Sequence, residues 1–254
     1  MARLFSHLGC MSRQPGPWDL PAEPDSTPAE EAVAPPPAGR ESAVDPRDAP
    51  AFNAPWPVLL LALSMPALYW FQARGGDPIG PIQTWGLVPA RVMQGDWTGL
   101  IGAMLLHGGW AHVAMNAVGA LAFGTAVARL FDRRTGVLGF VSFYAICGIL
   151  AGLGYVALHP ASQIPLVGAS GAVFGLIGAS TRLVGRRSLA PMFDRRVLSQ
   201  MMMWTVLNVA IGLAGSLMAG VAGGAVAWEA HIAGLIVGWL LVGPFARIFA
   251  ARRG

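Results

Sequence analysis

Lysine is absent from the 254 residues, and acids are scarce enough that charged side chains make up 12% of the chain against 54% hydrophobic ones. A soluble globular domain carries about a quarter of its residues as charges, so this shortage argues against an ordinary cytosolic enzyme. Cysteine is nearly missing too. Cys10 and Cys147 supply neither a disulfide framework nor a metal-ligand spacing, and the sequence asks for no cofactor and no metal. All positive charge comes from 17 arginines, which set the isoelectric point near 9.8 in a chain of mean hydropathy +0.54. In so apolar a chain, basic residues orient membrane spans more often than they bind nucleic acid. No nucleic-acid partner is expected, and the lipid bilayer is the expected solvent.

The chain divides in two. Residues 1–50 hold ten of the twenty prolines, with four arginines against eight acids for a net charge of −4. Such a segment buries too little apolar surface to offset its ordering entropy, so a disordered tail is expected, with passive linkage its simplest role. Its opening residues are too short and too weakly apolar for a signal peptide. Residues 51–254 carry 13 arginines against five acids, a net +8. Apolar windows of the roughly 20 residues needed to cross a bilayer fall at Pro55–Gln72, Gly136–Ala157, Ile164–Val184, Met201–Val221 and Ala225–Phe249. A sixth lies within Trp97–Leu130, where Gly108-Gly109-Trp110 offers a break. The spanning helix should start near Gly109, leaving Thr98–Leu106 along the interface or in a partly buried hairpin. The expected fold is therefore all-α, a polytopic six-span bundle with a long first connection. Arginines cluster after spans two, four and six and in the tail, 15 of the 17 on one side. That side should be cytoplasmic, with both termini on it.

Ionisable residues inside spans are rare, so each is a functional candidate. Here they are His107 and His112 with Asn116, then Ser170, then His231. Ser170 and His231 each lie six residues into windows that start from the same side, about 9 Å deep if helical. Small residues recur at intervals of four beside both: Gly171, Gly175 and Ala179 on span four, and Ala230, Gly234 and Gly238 on span six. Such stripes let helices approach closely in lipid. A serine hydroxyl needs a base to become a nucleophile, and a neutral imidazole supplies one. His112 and Asn116, one turn apart, can donate to a developing oxyanion together with the Ser170 amide. No carboxylate stands in position to orient the histidine, since Glu229 lies two residues away near the surface, so the expected constellation is a dyad.

The ordered set His107-x4-His112-x3-Asn116, Gly168-Ala-Ser170-Gly171 and Ala230-His231-x2-Gly234-x3-Gly238 resembles the rhomboid family of intramembrane serine proteases, over roughly residues 51–250. The resemblance implies Ser170 as nucleophile, His231 as general base, and His112, Asn116 and the Ser170 amide as oxyanion hole. It assigns Gly168 to the loop leading to the serine and places His107 near the cavity, either lining water or taking part. It also implies a membrane-embedded loop between spans one and two, a mobile gate near span five, and single-span substrates with a small side chain before the cut. Three positions depart from the family pattern. Phe174 stands where a tyrosine often lies under the histidine, Thr98-Gly99 replaces a Trp-Arg pair, and Ala128 replaces a glutamate. The six spans and the arginine-rich, lysine-free composition suit a bacterial inner membrane.

Two other classes compete. A non-proteolytic binder of unstable spans would not need both Ser170 and His231. A metal or proton transporter would use His107, His112 and His231, but five residues place the first pair about 140° apart around a helix.

Overall fold

The computed structural model describes residues 54–131, 135–185, 188–222 and 227–249, with side chains described to residue 215 in the third of these stretches. The proline-rich tail, and the expectation of disorder there, lie outside the described residues. Of the expected cytoplasmic arginines, Arg133, Arg134, Arg186, Arg187, Arg252 and Arg253 do so too.

The first helix, α1 (Trp56–Ala73), starts on Trp56-Pro57, where proline's missing N–H costs nothing. Its lipid-type face shows Trp56, Leu60, Leu63 and Trp70, while Val58, Met65 and Tyr69 turn inward. The long first connection is more structured than a single interfacial segment. It contains α2 (Gly80–Trp85), α3 (Pro89–Met93) and α4 (Gly99–Leu105). Helix α4 occupies most of the expected Thr98–Leu106 piece and buries Leu100 and Ala103. A Cβ at Gly99 would lie 2.8 Å from the Leu87 Cα, so glycine there lets α4 press against the chain following α2. Asp96 accepts from the Thr98 backbone N–H at 3.1 Å. The Thr98 hydroxyl and amide hold the Asp96 carboxyl below the ordinary carboxylate range. These contacts anchor the loop where Thr98-Gly99 stands.

The four long helices that follow are α5 (Trp110–Ala128), α6 (Gly136–Leu158), α8 (Arg195–Ala222) and α9 (Trp228–Phe249), with α7 (Ser170–Thr181) between α6 and α8. Among the described residues five helices, α1, α5, α6, α8 and α9, are long and apolar enough to cross a membrane.

Expected span four, Ile164–Val184, is helical over only part of its window. Helix α7 has 12 residues, about 18 Å of rise against a hydrocarbon core of about 30 Å. The physical reason lies on both flanks. Pro165 biases Ile164 away from helix, and Leu87 and Leu166 exchange both backbone hydrogen bonds at 2.9 Å. Gly168 then takes φ +120°. Irregular backbone at membrane depth is tolerated where protein buries it, and here the first connection does so. After Thr181 the chain turns into a two-stranded antiparallel hairpin, β1 (Leu183–Val184) with β2 (Ser188–Leu189), a small exception to the all-α expectation.

Helix α8 begins six residues before the expected window because Asp194 accepts from the Arg196 N–H at 2.8 Å, an N-cap the apolar count does not register. Arg182, expected as a cytoplasmic-facing charge, is 8% exposed. Its guanidinium donates to the Trp239 carbonyl at 3.1 Å and to the Ala190 carbonyl at 3.3 Å, tying the hairpin to α9.

Helix α7 is the centre of the bundle. Two thirds of its residues are buried, Leu176 and Ala179 completely. It packs on α9 through glycines: a Cβ at Gly234 would strike the Gly171 carbonyl, and one at Gly238 the Gly175 carbonyl. The two small-residue stripes meet in register, and Gly178 beside Leu235 extends the contact.

Candidate active site

Three helix N-termini converge at one end of the bundle. Ser170 is the first residue of α7, His231 the fourth of α9, and His112 the third of α5. The six residues counted ahead of Ser170 and His231 are therefore not six residues of helix. The preceding residues of span four are non-helical, as is Ala227 before α9. Convergence survives because both helices start later. The first N–H groups of any helix lack intrahelical partners; among the described residues no side chain caps α5 or α7, and these groups present the positive end of each helix dipole.

The Ser170 Oγ lies 2.7 Å from His231 Nε2. Phe174, one turn along α7, stacks under the imidazole with centroids 4.4 Å apart and planes 7° from parallel. The phenyl ring thus fixes the plane of the imidazole without a hydroxyl. Gly171 and Gly234 hold the two backbones close beside this pair, and Gly238 continues the contact one turn further.

Gly168 brings His112 to the same place. A Cβ there would sit 2.6 Å from His112 Cε1 and Nε2 and 3.6 Å from Ser170 Oγ. Both the positive φ and the approach to the imidazole thus require glycine. On its other side, His112 Nδ1 accepts from the Gly108 N–H at 3.4 Å. Asn116 follows one turn down α5, 4% exposed, and its Nδ2 has no hydrogen-bond partner among the described residues. A buried, unpaired donor is costly unless a ligand or water uses it.

His107 does not line an open cavity. It is 1% exposed, neither ring nitrogen has a hydrogen-bond partner among the described residues, and its ring meets His112 edge to face at 5.3 Å. Its backbone is clamped by Gln72 of α1. The Gln72 Nε2 donates to the His107 carbonyl at 2.9 Å and the Pro78 carbonyl at 3.0 Å, while Oε1 accepts from the His107 N–H at 3.1 Å. Among the described residues, no three His, Cys, Asp or Glu side chains gather as metal ligands.

Two polar residues escaped the sequence reasoning. Gln72 looks like the polar end of an apolar window. Asn208 sits within the window Met201–Val221, and its polarity in an apolar run was the signal to use. It is 2% exposed and joins the histidine: Oδ1 lies 3.0 Å from His231 Nδ1. Glu229, by contrast, pairs with His159 at 3.2 Å. Beside Ser170 a pocket opens between small and flexible side chains, including Met104, Gly148, Ala151, Gly152 and Ala172. The arrangement offers a hydroxyl in contact with a base, donors around it, and an adjoining apolar recess.

Known proteins share sequence with this chain. Residues 94–248 match the family model described as "Rhomboid domain". The chain is 30% identical over 201 residues, 78% of its length, to the rhomboid protease GluP of Bacillus subtilis. It is 32% identical over 124 residues, 48% of its length, to the putative rhomboid protease YdcA of the same organism. With the rhomboid-like protein 11 (chloroplastic) of Arabidopsis thaliana it shares 28% identity over 190 residues, 74% of its length. These matches span only 36%, 54% and 63% of the three relatives' own lengths. With a family model covering more than half its length and apolar helices long enough to cross a bilayer, the chain belongs to the rhomboid family and is an integral membrane protein.

Proposed function

We propose that the protein is an intramembrane serine endopeptidase that cleaves single-span membrane proteins near the extracytoplasmic face. The observation that carries this reading is the 2.7 Å contact between Ser170 Oγ and His231 Nε2, held where two glycine-packed helices begin. In the proposed reaction Ser170 Oγ attacks the scissile carbonyl carbon as its proton passes to His231 Nε2. The carbonyl oxygen becomes an oxyanion beside the Ser170 N–H, His112 and Asn116, and the positive ends of α5 and α7 reinforce these donors. Collapse breaks the C–N bond, the imidazolium protonates the leaving amine, and an acyl ester remains on Ser170. Water then adds to the ester with His231 again taking a proton, and hydrolysis frees the acid and the serine.

A substrate helix has its backbone hydrogen-bonded, so it must unwind before attack. The recess walled by Gly148, Ala151, Gly152 and Ala172 favours a small side chain before the cut. In this reading residues 51–254 form the protease domain and residues 1–50 a cytoplasmic tail. The arginine distribution supports a cytoplasmic side for both termini, and the composition suits a bacterial inner membrane.

The test is cleavage of a panel of single-span proteins by the purified chain in liposomes. Ser170→Ala and His231→Ala are each expected to lower cleavage to background while the protein still inserts. Cleavage persisting in Ser170→Ala would overturn the mechanism.

A further inference from the structure

Asn208 is a polar group of the site that the reaction above leaves without a task. It projects from α8 and is 2% exposed, although that helix presents Met202, Met203, Val206 and Leu207 outward. A buried polar residue in a span is costly unless it does something specific. Both ends of its amide are engaged. Nδ2 donates to the Trp228 carbonyl at 3.0 Å, and Oδ1 lies 3.0 Å from His231 Nδ1.

These two contacts fix each other. A backbone carbonyl only accepts hydrogen bonds, so the amide nitrogen must face Trp228 and the amide oxygen must face the imidazole. The oxygen also only accepts, so His231 Nδ1 must carry a hydrogen. A neutral imidazole has one N–H, which leaves the Nε2 lone pair facing Ser170 Oγ at 2.7 Å. The opposite tautomer would set two lone pairs against each other at Nδ1 and point an N–H at the serine. Phe174 fixes the plane of the ring, but a stack cannot distinguish the two nitrogens. Glu229, engaged with His159, does not orient the ring.

We infer that Asn208 is a positioning residue that selects the base-competent tautomer of His231 and accepts the Nδ1–H bond as the imidazolium forms. The inference rests on reading Ser170 as nucleophile and His231 as base. Its selector rides on α8, whose apolar stretch Arg195–Gly215 is 17% buried, against 44% for α6. The state of the base therefore depends on α8 staying docked against α9.

The test uses the full chain in micelles, with nitrogen-15 histidine spectra beside kcat and KM on a single-span substrate. In the wild-type protein, His231 should show a protonated Nδ1 and an unprotonated Nε2. A wild-type His231 carrying its proton on Nε2 overturns the inference whatever the variants do. Asn208→Leu, similar in size but without an acceptor, should lower kcat by on the order of 10- to 100-fold, within the span of acid–base contributions. Its KM should stay within about twofold, as expected for an interaction made in the transition state. Asn208→Asp, which restores an acceptor, should recover most of kcat. Wild-type kcat in Asn208→Leu, or equal losses in the Asp and Leu variants with an unchanged tautomer, would reduce Asn208 to packing. Ser170→Ala runs in parallel: cleavage surviving there overturns the nucleophile itself, a failure distinct from that of Asn208.

Discussion

Helices α7 and α8 are neighbours in sequence and opposites in construction. Helix α7 has 12 residues, two thirds of them buried, with glycines at 171, 175 and 178. Helix α8 has 28 residues, and its apolar stretch buries 17% while Met202, Met203, Val206 and Leu213 face outward. A helix wrapped by protein needs neither spanning length nor bulky side chains. It needs to be narrow, because its neighbours replace lipid. A helix at the edge needs large apolar side chains because lipid is its solvent. Ser170 sits on the narrow, buried helix and the amide partner of His231 on the peripheral one, so a protein-wrapped helix and an outward-facing one meet on opposite sides of one imidazole.

The comparison can be broken most forcefully at the α7–α9 contact. Gly238→Val would place a side chain on the Gly175 carbonyl, and overpacking of this kind costs roughly 1–3 kcal/mol or more. Thermal unfolding in detergent should show the cooperative transition lowered by many degrees or lost. A valine tolerated with an unchanged midpoint would mean that the close approach does not hold α7. Gly168→Ala comes next. The positive φ disfavours alanine, and the Cβ would meet His112 at 2.6 Å. Cleavage should fall about tenfold or more, for a backbone cost of order 1–3 kcal/mol, while folding persists. Smallest of all is Met203→Ala on the outward face of α8, expected to stay within about 0.5 kcal/mol in reversible unfolding. A large loss there would show that α8 is held as firmly as α7.

Much of this was legible in the sequence, for an identifiable reason. Apolar spans leave few polar residues, so Ser170, His231, His112 and Asn116 stand out, and matched glycine periods show which two helices can touch. The break at Gly109 likewise announced where α5 begins. What stayed hidden depends on contacts between distant segments. The shortened α7 follows from the pairing of Leu87 with Leu166, which no local period reveals. Asn208 is 23 residues from His231, and only the docking of α8 on α9 joins them. Gln72 clamps a loop 35 residues away. Short helices α2 and α3 lack the length over which periodicity can be read.

The central claim is that His231 activates Ser170. An activity-dependent fluorophosphonate, followed by mass spectrometry of the labelled peptides, reads it most directly. The account predicts one adduct on Ser170 in the wild-type protein and labelling reduced to background in His231→Ala. An adduct on another residue, or undiminished labelling of Ser170 without His231, would contradict it.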